Sequence, residues 1–131
     1  MSLGTSKDPG PEMLSAIKRA REAGIIIIAA SGNEATKCSY PAAYDEVIAV
    51  GAINPAFDKA SFSNFGHEVD IAAPGVNIFS TYLNDSYTML SGTSMATPMV
   101  SGAVALIQSL ARSQGVKAGP DKIVEMLDSL S

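Results

Sequence analysis

The residues best suited to chemistry lie in "GTSMATP", Gly92 to Pro98, which sets Ser94 between two threonines at the start of a long apolar segment. A serine at a helix start has two uses. It caps the helix by accepting a bond from an orphan N–H, a contribution of about 1 kcal/mol. Alternatively it attacks a substrate, with the unpaired N–H groups and positive dipole end nearby to receive developing negative charge. A second stretch, "AASGNEA" from Ala29 to Ala35, ends an apolar run on Gly32 and Asn33. Asn33 is either a turn residue tolerant of left-handed backbone or a side-chain amide donor at the edge of a cleft. The order Gly92-Thr93-Ser94-Met95-Ala96 is not the Gly-x-Ser-x-Gly elbow, and neither a dinucleotide-binding glycine motif nor a Walker loop occurs.

The elements that must carry these residues follow from pattern. "PEMLSAIKRAREAG" from Pro11 has proline in a first-turn position, apolar or small residues at helical spacing, and Gly24 as the stop. "IIIIAASGN" then reads as a strand covered on both faces, and "VIAVGAI", Val47 to Ile53, as a second. "VDIAAPG", "NIFSTYL" and the closing "NDSYTML" supply shorter strands and loops. From Met95 to about Arg112 the chain is apolar nearly all round, which predicts a central helix. Pro98 is expected in its first turn, with Ser94 at or just before the start. A last amphipathic helix from Pro120 would set Ile123, Val124, Met126, Leu127 and Leu130 on one side. Alternating helices and buried strands predict an α/β domain, a mostly parallel sheet with helices on both faces.

Composition agrees. The 131 residues are 47% hydrophobic and 17% charged, with no repeat and no shift in composition along the chain, so one domain is expected. A net charge of −4 with scattered lysines and arginines gives no footprint for nucleic acid or an anionic membrane, and neither is an expected partner. Cys38 is the only cysteine, which excludes an internal disulfide and a zinc pattern.

"GTSMATP", preceded by "APGVNIFST", "FSNFG", "YPAAYDEVIAVGAIN" and "IIIIAASGNEA", resembles the C-terminal part of a subtilisin-like serine peptidase domain, peptidase family S8. The resemblance covers nearly all of residues 1–131, in the family's order and spacing. It implies a truncated subtilisin-like fold, Ser94 as nucleophile, and Asn33 as oxyanion-hole amide beside the backbone N–H of Ser94. It also implies that Ser2, Leu3 and Gly4, with Ala30, Ser31 and Gly32, are the extended segments flanking a peptide substrate, around a pocket expected to be apolar and roomy. A serine hydroxyl attacks well only when a histidine takes its proton and an aspartate orients that histidine.

In the family the Asp and His blocks precede the segment matched by "SLG", so the resemblance implies that both lie upstream of residues 1–131. The only histidine, His67 in "FGHEVDIAAPG", matches no catalytic position. Met99 stands where many relatives have histidine, though not the catalytic one. No cofactor is required for the chemistry; structural calcium is implied at backbone carbonyls matching Ala42, Tyr44 and Val47. With much of a wide sheet expected elsewhere, the chain is expected to be a homo-oligomer or to pair with an N-terminal fragment of the same protease. On its own it is expected to be essentially inactive. The rival reading is a non-catalytic binding or assembly module on a protease scaffold.

Overall fold

The computed structural model describes residues 1–129, so the expected position of Leu130 lies outside the described residues. The order is α1 (Pro11–Glu22), β1 (Ile28–Ala30), β2 (Ile48–Ile53), β3 (Ile71–Pro74), β4 (Ile78–Tyr82), β5 (Ser86–Leu90), α2 (Thr93–Ser113) and α3 (Pro120–Asp128). Strands β1, β2 and β3 form a parallel sheet in that spatial order, with Ile28 beside Ile48 and Val50 beside Ile71.

Alternation along these strands builds two cores. Ile28, Ile48, Val50, Ala52 and Ala73 face Ala96, Val100 and Val104 of α2 and Ile123 and Leu127 of α3. Ala29 and Ala49 point the other way, against Ile17 of α1 and the Cys38 to Val47 segment. Both faces are therefore covered, which is why β1 and β2 read as unbroken apolar runs. The expected three layers, helix on sheet on helix, are present.

Three expectations change. The strand predicted from Ile25 begins only at Ile28; Ile25 is 56% exposed, and its N–H closes on Ala20 at the end of α1. The helix predicted to be central is buried along one row only, since Leu106 and Leu110 are 74% and 61% exposed. By length and composition α2 passes for a membrane span, but Ala96, Val100 and Val104 pack on the sheet as a core helix does. Pro98 is the sixth residue of α2, beyond the first turn.

β4 and β5 form an antiparallel hairpin. Its turn uses Asn84 and Asp85 at φ 55° and 52°, values these residues tolerate better than most. The hairpin delivers the chain to Gly92, whose N–H donates to the Gly75 carbonyl at 2.8 Å. A Cβ on Gly75 would sit 2.8 Å from the Gly92 carbonyl oxygen and 2.7 Å from Ala52 Cβ, so only glycine lets the end of β3 lie against the start of α2.

Candidate active site

The C-terminal end of β1 and the N-terminus of α2 are joined by one side chain. Asn33 Oδ1 accepts from the Thr93 backbone N–H at 2.8 Å and from the Thr93 hydroxyl at 2.9 Å. A backbone N–H only donates, so the amide atom facing it is oxygen, and the NH2 end of Asn33 is the end left to donate. Thr93 Oγ1 in turn accepts from the Gly32 N–H at 3.2 Å. Thr93 is fully buried and Ser94, the next residue, is half-buried in the first turn of α2. The Thr93, Met95 and Ala96 N–H groups are taken by Asn33 and the Gly92 carbonyl, so a hydroxyl, an amide donor and the Ser94 N–H lie together at the helix start, a set able to hold negative charge on an attacked carbonyl.

Ser2 reaches Ser94 from the segment that runs along the edge of β1. Its hydroxyl donates to the Ser94 carbonyl oxygen at 2.9 Å, and the Ser94 hydroxyl faces the Ser2 carbonyl at 3.4 Å. In a regular helix the Ser94 carbonyl would accept from the N–H of residue 98, which proline lacks. The Ser2 hydroxyl fills that vacancy, which is how α2 tolerates Pro98 past its first turn.

A cavity of about 310 Å³ opens beside Ser94. Leu3 and Gly4 form one wall and Ala30 and Gly32 the other. The Thr5–Tyr40 bridge, with bonds of 2.8 and 2.9 Å, closes the space between them. Ser31 is buried behind the wall with its hydroxyl turned to the Asn64 carbonyl, and Ser2 contacts Ser94 instead of the cavity. The lining is mixed instead of wholly apolar, because Thr5, Ser6, Glu34 and Ser39 join Leu3 and Ala30 along it. The cause is local: the Asn33 N–H donates to Glu34 Oε2 at 2.9 Å and folds that side chain back over Gly32. A Cβ on Gly32, at φ +108°, would lie 2.2 Å from Asn64 Nδ2, 2.6 Å from Ser39 Oγ and 2.8 Å from Glu34 Oε2.

The subtilase family's sequence profile matches residues 1–126. The chain belongs to the subtilase family. This subtilase chain is 50% identical over 115 residues to the major intracellular serine protease of Bacillus subtilis (strain 168), and 48% identical over 118 residues to subtilisin DY of Bacillus licheniformis. Each match takes in 83% of the chain but only 36% and 41% of those relatives, so it spans well under half their length. Among solved structures, the prenylagaramide maturation protease PagA superposes with a TM-score of 0.87 at 37% identity, over 95% of this chain and 48% of that one.

His67, the single histidine of the sequence, does not join Ser94. The His67 side chain is 93% exposed, lies 3.7 Å from Glu68, and lines a different cavity, of about 170 Å³, with Tyr44, Val47 and Asp70. Ala42, Tyr44 and Val47, where the resemblance sets calcium-binding carbonyls, line that same cavity with the carboxylates of Glu68 and Asp70. Hard oxygen donors of both kinds fit calcium chemistry. Among the described residues no group of three or more carboxylate, imidazole or thiol ligands occurs, so carbonyl oxygens would supply most of the coordination.

Burial and the nearby Glu68 and Asp70 charges push the Cys38 thiol up to about 11. Burial and the bond to Asp8 push the Tyr44 phenol up to about 12, while that same bond lowers Asp8. Asn64 escaped the sequence reading. It is 1% exposed; its Oδ1 accepts from the N–H groups of Glu34 and Thr36, and its Nδ2 donates toward Ser31 O, Glu34 Oε2 and Ser39 Oγ. The one sequence signal was an asparagine within the quoted block "FSNFG".

Proposed function

We propose that these residues carry the nucleophile and oxyanion site of a serine endopeptidase. Ser94 Oγ, giving its proton to the general base, attacks the scissile carbonyl; the C–N bond then breaks, the amine leaves with that proton, and the acyl group stays on Oγ as an acyl-enzyme. Asn33 Nδ2 and the Ser94 N–H receive the oxyanion, and the peptide lies extended between the Ser2–Gly4 and Ala30–Gly32 segments. The general base and its orienting acid belong to the rest of the protease, since His67 stands in another cavity. The observation that carries this reading is the pair of hydrogen bonds from Thr93 to Asn33 Oδ1, which leaves the amide's NH2 end to donate at the cavity that Ser94 also lines. A capping serine needs no such aimed amide.

Completion by another segment is supported at the edge of β1 away from β2. Met1 pairs there as a parallel strand would, its N–H donating to the Ile28 carbonyl and its own carbonyl accepting from Ala30 N–H at 3.0 Å. A groove of about 640 Å³ between α1 and α2, lined by Met13, Ile17, Ile25 and Val104, continues that edge. We assign it to the N-terminal segment of the same protease. A calcium ion held by the Ala42, Tyr44 and Val47 carbonyls would act structurally, away from Ser94.

Fluorophosphonate labelling tests the reading. Residues 1–131 alone should label slowly at Ser94, and addition of the N-terminal segment should accelerate labelling by orders of magnitude. No labelling of Ser94 in either sample overturns the proposal in favour of a binding scaffold.

A further inference from the structure

The loop that carries Asn33 has no ladder of its own. Gly32 to Thr36 lie outside helix and strand, and three of their N–H groups go to scattered partners: Gly32 to Thr93 Oγ1, Asn33 to Glu34 Oε2 and Ala35 to the Phe62 carbonyl. The other two, of Glu34 and Thr36, go to Asn64 Oδ1 at 2.9 and 3.1 Å. The Asn64 backbone N–H donates to the Gly32 carbonyl at 2.9 Å. The peptide group before Asn33 and the one after it are thus both bonded to a single residue. Each peptide group is planar, so fixing two in succession fixes the Cα between them and the direction of its Cβ. Asn64 can anchor them because it is 1% exposed and its own amide is committed, Nδ2 donating to Ser31 O at 3.0 Å and to Glu34 Oε2 at 2.9 Å. Thr93 holds the far end of the Asn33 side chain, at Oδ1.

We infer that Asn64 is a positioning residue for the oxyanion amide: it sets where Asn33 stands, as Thr93 sets which way its amide faces. The inference rests on the function proposed above. Asn64 does not line the cavity beside Ser94, so it reaches a substrate only through the loop it holds. A displaced Asn33 Nδ2 matters most once charge has built up on the attacked oxygen, so the loss falls on the transition state and not on peptide binding. Glu34 does line that cavity, and an effect passed through Glu34 instead would appear in KM and would not depend on Asn33.

The test is a double-mutant cycle in the full-length protein, reading kcat and KM on a peptide p-nitroanilide per active site counted with a fluorophosphonate. Asn64→Ser keeps the backbone bond to Gly32 and removes the amide. It should lower kcat about tenfold with KM almost unchanged. In an Asn33→Ala background the same substitution should change kcat by less than about twofold, because no amide remains to be misplaced. Its effect on thermal melting should be alike in both backgrounds, since the Thr36 and Ser31 bonds are lost in each. Asn64→Asp keeps the shape of the side chain but sets a carboxylate against Glu34 Oε2; it disturbs the loop without emptying the site, and completes the cycle where the serine variant does not fold. Unchanged kcat in the Asn64 variants, a loss of full size in the Asn33→Ala background, or a loss carried by KM overturns the inference. Asn33→Ala alone reads the other proposal: unchanged kcat there sinks the oxyanion reading, whereas a large loss from Asn33→Ala, multiplied in full by the Asn64 variant, sinks only the role of Asn64.

Discussion

The Ser2 hydroxyl donates to the Ser94 carbonyl oxygen at 2.9 Å, in the place of a helix N–H that Pro98 does not have. Ser2→Ala should cost about 0.5–1 kcal/mol, the net value of one such bond where water competes. In a Pro98→Ala background the new N–H supplies the missing donor, so the same change should cost almost nothing. Urea unfolding of the two single variants and the double variant gives the coupling. Additive costs would show that the hydroxyl does not stand in for the absent N–H.

In the proposed site Asn33 has two separable duties. Asn33→Asp keeps an acceptor for Thr93 but offers the developing oxyanion a negative charge, so the fold should persist while turnover collapses. Asn33→Ala should also unfold more easily, by about 1–3 kcal/mol, because the buried Thr93 N–H and hydroxyl lose their acceptor. Its turnover in the assembled protease should fall about 10²–10³-fold, a magnitude taken from a subtilisin's own oxyanion amide. Unchanged turnover in both variants would remove Asn33 from the oxyanion site.

The Tyr44 hydroxyl donates to Asp8 and titrates at about 12 in the fold instead of 10.0. A raised folded value stabilises the protonated form, so this contribution is complete below pH 10 and is lost as pH rises from 10 towards about 12. Asp8 is lowered from 3.8, so its share is present above pH 3.8 and is lost below it, through the depressed folded value. Tyr44→Phe should flatten both the alkaline and the acid loss of stability, measured by thermal melting across pH; an unaltered profile contradicts the assignment.

Cys38 is 4% exposed with its thiol raised to about 11, and the thiolate is the reactive form. At pH 8 the folded protein should react with iodoacetamide far more slowly than the urea-unfolded chain. Equal rates would mean that the core formed by Ile17, Ala29 and Tyr44 opens readily.

Legibility in the sequence followed coverage. β2 was plain because "VIAVGAI" is apolar on both faces and both faces are covered, whereas β1 shrank to Ile28–Ala30 because hydrophobicity marks burial and not ladder bonds. α2 looked central because composition counts apolar residues without saying which are met; Leu106 and Leu110 are mostly exposed. Ser94 and Asn33 could be picked out as residue types, and the structure sets both along one cavity, but what orients the amide is Thr93, whose bonds fix Asn33 Oδ1 as the acceptor. Side-chain orientation has no periodicity to read. Glu34 and Asn64 were passed over for the same reason, being ordinary loop residues until Gly32 lets three polar groups converge on it.

The bond between Asn33 and Thr93 spans 60 residues of sequence. During synthesis the asparagine emerges long before the threonine that aims it, and in the interval its amide is a solvated loop group with no fixed direction. The helix bearing Ser94 reaches the sheet only when nearly the whole of this region has been made. The proposed oxyanion site is therefore armed by the docking of α2 and not by the appearance of its residues, so a nascent or partly unfolded chain holds Asn33, Thr93 and Ser94 and none of their geometry.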